Sequence, residues 1–142
     1  MAESIFTEAR LRDELSKRLQ LLEPGLELRA VEYSLPNRHG TSGRIDILAT
    51  DRYAANVIIE IKKSNQTARQ AIHELHKYIG LMKADHGLRD SQIRCVLVST
   101  EWDELLIPFS EFSRSVQWAV DGYCLHLTDA GLPERADRKS VV

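Results

Sequence analysis

The chain has 142 residues, which suits one domain with a real hydrophobic core and is short for two. Hydrophobic residues make up 43% and charged residues 28%, both ordinary globular values. The formal net charge of −2 gives no overall electrostatic attraction to nucleic acid, so any contact with DNA must come from a local basic surface.

An amphipathic helix is predicted over residues 4–22, because four leucines recur on one stripe at helical spacing. They are Leu11, Leu15, Leu19 and Leu22. Glu8 falls inside the stripe and is either a first-turn acid that favours the positive helix end or an acidic group directed at the sheet. This N-terminus does not resemble a signal peptide and no segment reaches membrane-spanning length, so we expect a cytoplasmic protein that does not bind membranes.

Three strands are predicted next. Glu23-Pro24-Gly25 ends the helix, and a strand follows over residues 27–33. A loop with basic residues covers 35–43. The β-branched runs at 44–49 and 57–62, separated by a turn, predict a hairpin.

The second half predicts a helix over 65–84, with Ser64 or Asn65 as its cap, and a strand over 93–99 that is covered on both faces. A helix broken around Pro108 is expected over 101–114, and an edge strand over 123–127. Cys95 and Cys124 lie in apolar runs and are predicted to be buried thiols. The predicted fold is α/β in the order αβββαβ, with a short helix and strand appended; residues 1–128 form one domain and residues 129–142 a polar, frayed tail.

The candidate chemistry lies in the predicted hairpin. In the run VIIEIK, the strand period of two places Ile58, Glu60 and Lys62 on one face of an otherwise apolar strand. Asp46 interrupts RIDILA in the same way, and a hairpin brings it beside Glu60. Buried charges must be paired, hydrated or bound to a metal, and two adjacent carboxylates need a cation or a proton between them.

Oxygen ligands of this kind suit Mg²⁺ or Mn²⁺, which bind one or two carboxylates together with waters and phosphate oxygens. Lys62 would then lie close to the attacking water and to a phosphate, where it could orient or deprotonate the water and stabilise developing charge. The alternative is a surface hairpin in which the three residues only form a cross-strand salt bridge.

Other residues flank this site. Tyr78 lies at the border of the apolar stripe of the second helix, and Glu74, one turn earlier, lies farther along that flank. The two either reach the site and take part in its chemistry or serve only in amphipathic packing. A phosphate-binding surface is predicted from the basic residues nearby, although a solvated helix face explains the helical members equally well. These residues are Arg38, Arg44, Lys63, Arg69 and Lys77. His73 and His76 stand three apart, which does not match a zinc motif.

The motifs resemble the PD-(D/E)xK nuclease superfamily, and more closely the catalytic domain of NucS/EndoMS endonucleases. The similarity rests on LLEPGLEL, GRIDILATD, VIIEIKKS and a helix with ELHKY. It implies a restriction-endonuclease-like fold, with a mixed sheet flanked by helices, and a divalent ion held by Asp46, Glu60 and the main-chain carbonyl of Ile61. It also implies that Lys62 positions the attacking water and that Glu8 is the acid of the first helix.

Two departures from that family affect the expected function. Many relatives carry Gln-x-x-x-Tyr on the second helix, whereas here Glu74 replaces the glutamine before Tyr78. The domain that dimerises and grips DNA in NucS/EndoMS enzymes has no counterpart in this sequence, so mismatch specificity is not carried over.

The function predicted is a Mg²⁺- or Mn²⁺-dependent DNA endonuclease in repair or defence, acting as a homodimer or with a partner protein. The first alternative is a catalytically silent nuclease fold that binds DNA or proteins. The second is an interaction domain with a docking surface around Trp102, Leu105 and Trp118.

Overall fold

In the computed structural model, residues 7–40, 43–63 and 68–142 are described. They contain three α-helices, α1 (Glu8–Ser16), α2 (Ala68–His86) and α3 (Leu106–Ser115). The six strands among them are β1 (Glu27–Tyr33), β2 (Ile45–Thr50), β3 (Asn56–Lys62), β4 (Ile93–Ser99), β5 (Ala119–Leu127) and β6 (Pro133–Arg138). Short 3₁₀ turns lie at Leu19–Leu21 and Asp90–Gln92.

The strands form one mixed sheet in the order β1-β2-β3-β4-β5-β6. The central strands β3, β4 and β5 are parallel, while β1, β2 and β6 pair with their neighbours in antiparallel fashion. The predicted α/β class, the element order through β5 and the hairpin of β2 and β3 are therefore confirmed. None of the helices in the three described ranges is long and apolar enough to cross a membrane.

The sheet is covered on both faces. On one face, the leucines of α1 pack against Ile47, Ile59 and Val96. On the other face, Leu75 and Ile79 of α2 pack against Ile58, and α3 adds Phe109 and Phe112. This double cover explains why β3 and β4 are almost continuously buried.

The predicted leucine stripe is confirmed, because all four leucines are buried, but the single helix over 4–22 was wrong. Its residues 4–6 lie outside the described ranges. α1 ends at Ser16, and Arg18 adopts φ −136° and ψ 40°, outside the helical region. The following 3₁₀ turn then carries Leu19 and Leu22 into the core.

Three predictions for the C-terminal part were also wrong. Pro108 does not break a helix but lies in the first turn of α3, where its missing N–H leaves no helical hydrogen bond unmade. β5 is not an edge strand, because it pairs with both β4 and β6. The tail expected to fray over 129–142 contains β6, whose main chain pairs with β5 from Pro133 to Arg138.

The predicted docking surface is also wrong for two of its three residues. Leu105 is fully buried, and Trp102 packs edge-on against Phe109 at 5.1 Å between ring centroids. The indole N–H of Trp102 donates to the main-chain oxygen of Tyr123 at 2.9 Å. These side chains belong to the core between α3 and the sheet, where Cys124 is half-buried. Cys95 is buried, as predicted, in the neighbouring cluster that α2 forms with the sheet.

Candidate functional site

Two charged side chains lie inside the sheet at the end of β3. Its apolar residues alternate as the period of two predicts: Ile59 and Ile61 pack on the α1 side, and Ile58 packs on the α2 side. Glu60 and Lys62 share the face of Ile58 and are only 3% and 9% exposed. Lys62 Nζ lies 3.4 Å from Glu60 Oε2, whereas Glu60 Oε1 is buried without a hydrogen-bond partner among the described residues.

Asp46 joins this pair from β2. In the hairpin Ile47 pairs with Ile59, and Asp46 and Glu60 are the next residues along the two strands. Asp46 Oδ2 accepts the main-chain N–H of Ile61 at 2.8 Å. The carboxylate thus takes a main-chain hydrogen bond of β3, which fixes its orientation toward the strand that carries Glu60 and Lys62.

Burial and mutual repulsion dominate the electrostatics of the two acids. Burial raises the pKa of Asp46, although the hydrogen bond from Ile61 opposes that shift. Burial and the neighbouring charge of Asp46 raise the pKa of Glu60 to about 9, against the weaker opposing attraction of Lys62. Since both carboxyl groups resist ionisation together, the site favours either a shared proton or a bound cation.

The alternative of a surface hairpin with a cross-strand salt bridge is wrong. The side chains of Lys62 and Glu60 are 11% and 5% exposed, and both residues lie on the same strand. An ion pair with one carboxylate oxygen left unpartnered in the interior is a poor stabilising device, because the buried oxygen loses its hydration without compensation.

Glu8 lies at the same end of β3, on the opposite side from α2. Its Oε2 accepts the main-chain N–H of Lys63 at 2.8 Å. Thr7 caps α1 by accepting the N–H of Arg10 at 3.2 Å, which places Glu8 in the first helical turn. Glu8 is therefore both a first-turn acid and an acid directed at the sheet, so the two interpretations left open by the sequence are compatible.

Residues of α2 approach the site from the other side. Tyr78 is buried, and its Oη lies 2.6 Å from the main-chain oxygen of Arg44 and 2.7 Å from Glu74 Oε2. Lys77 Nζ lies 3.2 Å from the same Glu74 oxygen. Burial acts to raise the pKa of Glu74, but the hydrogen bonds from Tyr78 and Lys77 outweigh it and lower that pKa below its usual value.

Gly43 is a residue of this region that the sequence did not single out. It has φ +125°, and a Cβ built on it would lie 3.2 Å from Tyr78 Oη and 2.7 Å from Lys77 Nζ. The chain before β2 therefore lies directly against α2. Its one signal in the sequence is a glycine at the entry to a strand that carries a candidate ligand.

The five predicted phosphate-binding residues are distributed unevenly. Arg44 and Lys77 lie beside Tyr78, and Lys63 follows Lys62 at the end of β3. Arg38 is tied to Asp85 near the end of α2, through its main-chain N–H at 3.0 Å and its side chain at 3.4 Å. Arg69 lines a separate cleft of about 560 Å³ between α2 and α3.

In the described ranges, no group of three or more His, Cys, Asp or Glu side chains is arranged to hold a metal ion. His73 and His76 are exposed, and the His76 ring packs edge-on against Phe112 at 4.8 Å. A metal ion at the end of β3 would therefore have two carboxylate ligands, from Asp46 and Glu60, and would need main-chain oxygens and waters to complete its coordination. Mg²⁺ accepts such mixed sets of oxygen ligands.

A family model described as "Endonuclease NucS C-terminal domain" matches residues 7–104 of the chain. Two solved structures share the fold. A repair endonuclease from Pyrococcus abyssi has a TM-score of 0.52 and 22% identity, over 71% of this chain and 40% of that one. The structure of an EndoMS-dsDNA2 complex gives a TM-score of 0.60 and 18% identity, over 86% of this chain and 46% of that one. The chain thus spans less than half the length of either, and no curated protein matches it.

Proposed function

Because the chain belongs to the family of NucS endonuclease C-terminal domains, we propose that it is a divalent-metal-dependent endonuclease that hydrolyses phosphodiester bonds of DNA. The pathway proposed is DNA repair or defence. The two solved structures with this fold come from a repair endonuclease and from a complex with double-stranded DNA, and both facts support the proposal.

The observation that carries the proposal concerns Glu60 Oε1, which lies beside Asp46 at the carboxyl end of a central strand and has no hydrogen-bond partner in the part of the chain that the structure describes. A buried carboxylate oxygen without a donor costs free energy, and a cation removes that cost. The donor set consists of hard oxygens, so the residues fit Mg²⁺ or Mn²⁺. Asp46, Glu60 and the main-chain oxygen of Ile61 would hold the ion.

When bound, a divalent ion supplies Lewis acidity to the phosphate and lowers the pKa of water. The protein supplies the remaining functions. Asp46 is held in place by the Ile61 N–H, and Glu60 is fixed by burial within β3. We propose that the ammonium group of Lys62, which lies 3.4 Å from Glu60 Oε2, orients the attacking water and stabilises negative charge developing on the phosphate.

Basic residues near this site would bind the phosphates on either side of the cut. The side chain of Arg44 is 64% exposed, and Lys63 directly follows Lys62, the last residue of β3. With a formal net charge of −2, the protein must concentrate its positive potential locally. We propose that this domain acts as a homodimer or with a partner protein, because a single domain of this size offers a small surface to a duplex.

A cleavage assay tests the proposed function. Purified protein is incubated with single-stranded, branched and mismatched DNA in Mn²⁺, in Mg²⁺ and in EDTA. We expect cleavage that requires the ion and is lost in Asp46→Ala, whose fold is checked by circular dichroism. Glu134→Ala, which removes an exposed carboxylate on β6, serves as the matched control and should cut normally.

The alternative, a catalytically silent nuclease fold that binds DNA or proteins, predicts different results in this assay. The protein would bind DNA equally well with the ion or EDTA, no substrate would be cut, and Asp46→Ala would behave as the wild type. That pattern would refute the enzymatic proposal.

A further inference from the structure

The hydroxyl group of Tyr78 connects α2 to the chain segment that carries Asp46. Its Oη lies 2.6 Å from the main-chain oxygen of Arg44, two residues before Asp46 and directly before β2. The side chain is buried, and both burial and the neighbouring Glu74 raise the pKa of Tyr78. The hydroxyl therefore keeps its proton and can act as a donor.

Close packing reinforces this connection. A Cβ on Gly43, the residue before Arg44, would displace the end of the Lys77 side chain and crowd Tyr78 Oη, and the φ of +125° is unfavourable for other residues. Two neighbouring residues are thus tied to α2, Arg44 by the Tyr78 hydroxyl and Gly43 by close approach. Because Asp46 is two residues further on, any displacement of Arg44 moves the start of β2 and the candidate ligand with it.

The hydrogen of the Tyr78 hydroxyl has two possible acceptors. A tyrosine hydroxyl has a single hydrogen, yet both the Arg44 oxygen and Glu74 Oε2 lie within hydrogen-bond distance of it. When Glu74 is ionised, it competes with Arg44 for that hydrogen. A glutamine at position 74 would instead donate to Tyr78 Oη and leave the tyrosine hydrogen to Arg44.

We propose that Tyr78 is a positioning residue that orients Asp46 through the main chain of Arg44, and that Glu74 weakens this action by competing for the hydroxyl proton. The proposal rests on the metal site described above, since the consequence of positioning Asp46 is the affinity for a divalent ion. It assigns Tyr78 no contact with substrate or ion.

The first test measures Mn²⁺ affinity by calorimetry in the wild type and in Tyr78→Phe, which removes only the hydroxyl. We expect about three- to tenfold weaker binding, the usual effect of one lost hydrogen bond. The matched control is Tyr53→Phe, in the β2–β3 turn, where the tyrosine is 83% exposed and binding should not change.

A double-mutant cycle isolates the role of Glu74. Glu74→Gln also removes a charge that acts on Glu60, and this electrostatic effect is the same with or without the hydroxyl. We therefore expect Glu74→Gln to change Mn²⁺ affinity more favourably in the wild type than in Tyr78→Phe, by about threefold. Equal changes in both backgrounds would overturn the proposed competition.

Amide hydrogen exchange without metal provides an independent measurement. In Tyr78→Phe the amides of residues 45–47 should exchange faster, while those of β4 keep the wild-type rate. Unchanged exchange at 45–47 overturns the positioning role whatever the metal does. If exchange accelerates but the wild type binds no Mn²⁺, the proposed function fails and the link from Tyr78 to a metal ligand fails with it.

Discussion

Glu60→Gln should stabilise the metal-free protein at neutral pH. Glu60 is 3% exposed, one of its oxygens has no partner in the described structure, and its pKa is raised to about 9 from 4.5. A carboxylic acid whose pKa is higher in the folded than in the unfolded state does not oppose folding below its unfolded pKa, where it is protonated in both states. As the pH rises from the unfolded pKa toward the folded pKa, folding becomes less favourable, because the unfolded chain ionises while the folded protein stays protonated. Glutamine has nearly the same shape and carries no ionisation cost.

The expected magnitude follows from the two pKa values. At pH 7 the unfolded chain ionises Glu60 freely while the folded chain keeps it protonated, so wild-type folding carries a cost of about 3 kcal/mol at about 1.4 kcal/mol per pH unit. Glu60→Gln should recover that amount at pH 7 and almost none at pH 4.5. Its advantage should grow further up to about pH 9.

Urea unfolding in EDTA at pH 4.5, 6 and 7.5, followed by circular dichroism, measures this difference. Because the two proteins differ at one position, the titration of groups distant from Glu60 cancels to first order. The adjacent Asp46, whose own pKa depends on its contact with Glu60, also contributes to the difference. A variant that is no more stable than the wild type at pH 7.5, or whose advantage does not depend on pH, would refute the electrostatic reasoning for Glu60.

Three further predictions concern the ion pairs of Arg94 and two glycines. Arg94→Met leaves Glu23, Asp51 and Asp121 without their shared cation, so it should cost about 3–5 kcal/mol in urea unfolding at pH 7. Because Arg94 lowers the pKa of Glu23, the loss should shrink as the pH falls below about 4, and a pH-independent loss would contradict this explanation. Gly122→Ala places a Cβ 2.5 Å from the Trp102 ring and should lower stability by at least ~2 kcal/mol in thermal unfolding. Gly80→Ala, on α2 with open space around it, should raise stability by about 0.5–1 kcal/mol, and a similar effect of the two alanines would refute the steric argument.

Strands that are marked by a turn signal or by a run of apolar residues could be predicted from the sequence with accurate bounds. β1 and β4 occupy residues 27–33 and 93–99 as predicted, because a turn precedes the first and near-continuous apolar residues form the second. β6 was missed because Pro133–Arg138 is mostly exposed, so its polar residues show no period of two. Its order comes from main-chain pairing with β5, which no side-chain pattern reports.

The candidate site likewise contains residues that the sequence pattern identifies and contacts that only the tertiary structure creates. Asp46, Glu60 and Lys62 were visible because they interrupt apolar strands, where a charge needs a reason. The hydrogen bond from Ile61 to Asp46 and the contact of Tyr78 with Arg44 depend on how β2 meets β3 and α2. Arg94 was overlooked for a similar reason, since its three acidic partners come from separate segments of the chain.

Asp46 and Glu60 are proposed to hold a divalent ion, and Mn²⁺ calorimetry at pH 7.5 measures that binding. We predict about one ion per chain, with protons released on binding because Glu60 is protonated without metal. Binding should be abolished in Asp46→Ala and in Glu60→Gln and unchanged in Glu134→Ala. A wild-type protein that binds no Mn²⁺, or an Asp46→Ala variant that binds it as well as the wild type, would contradict the account.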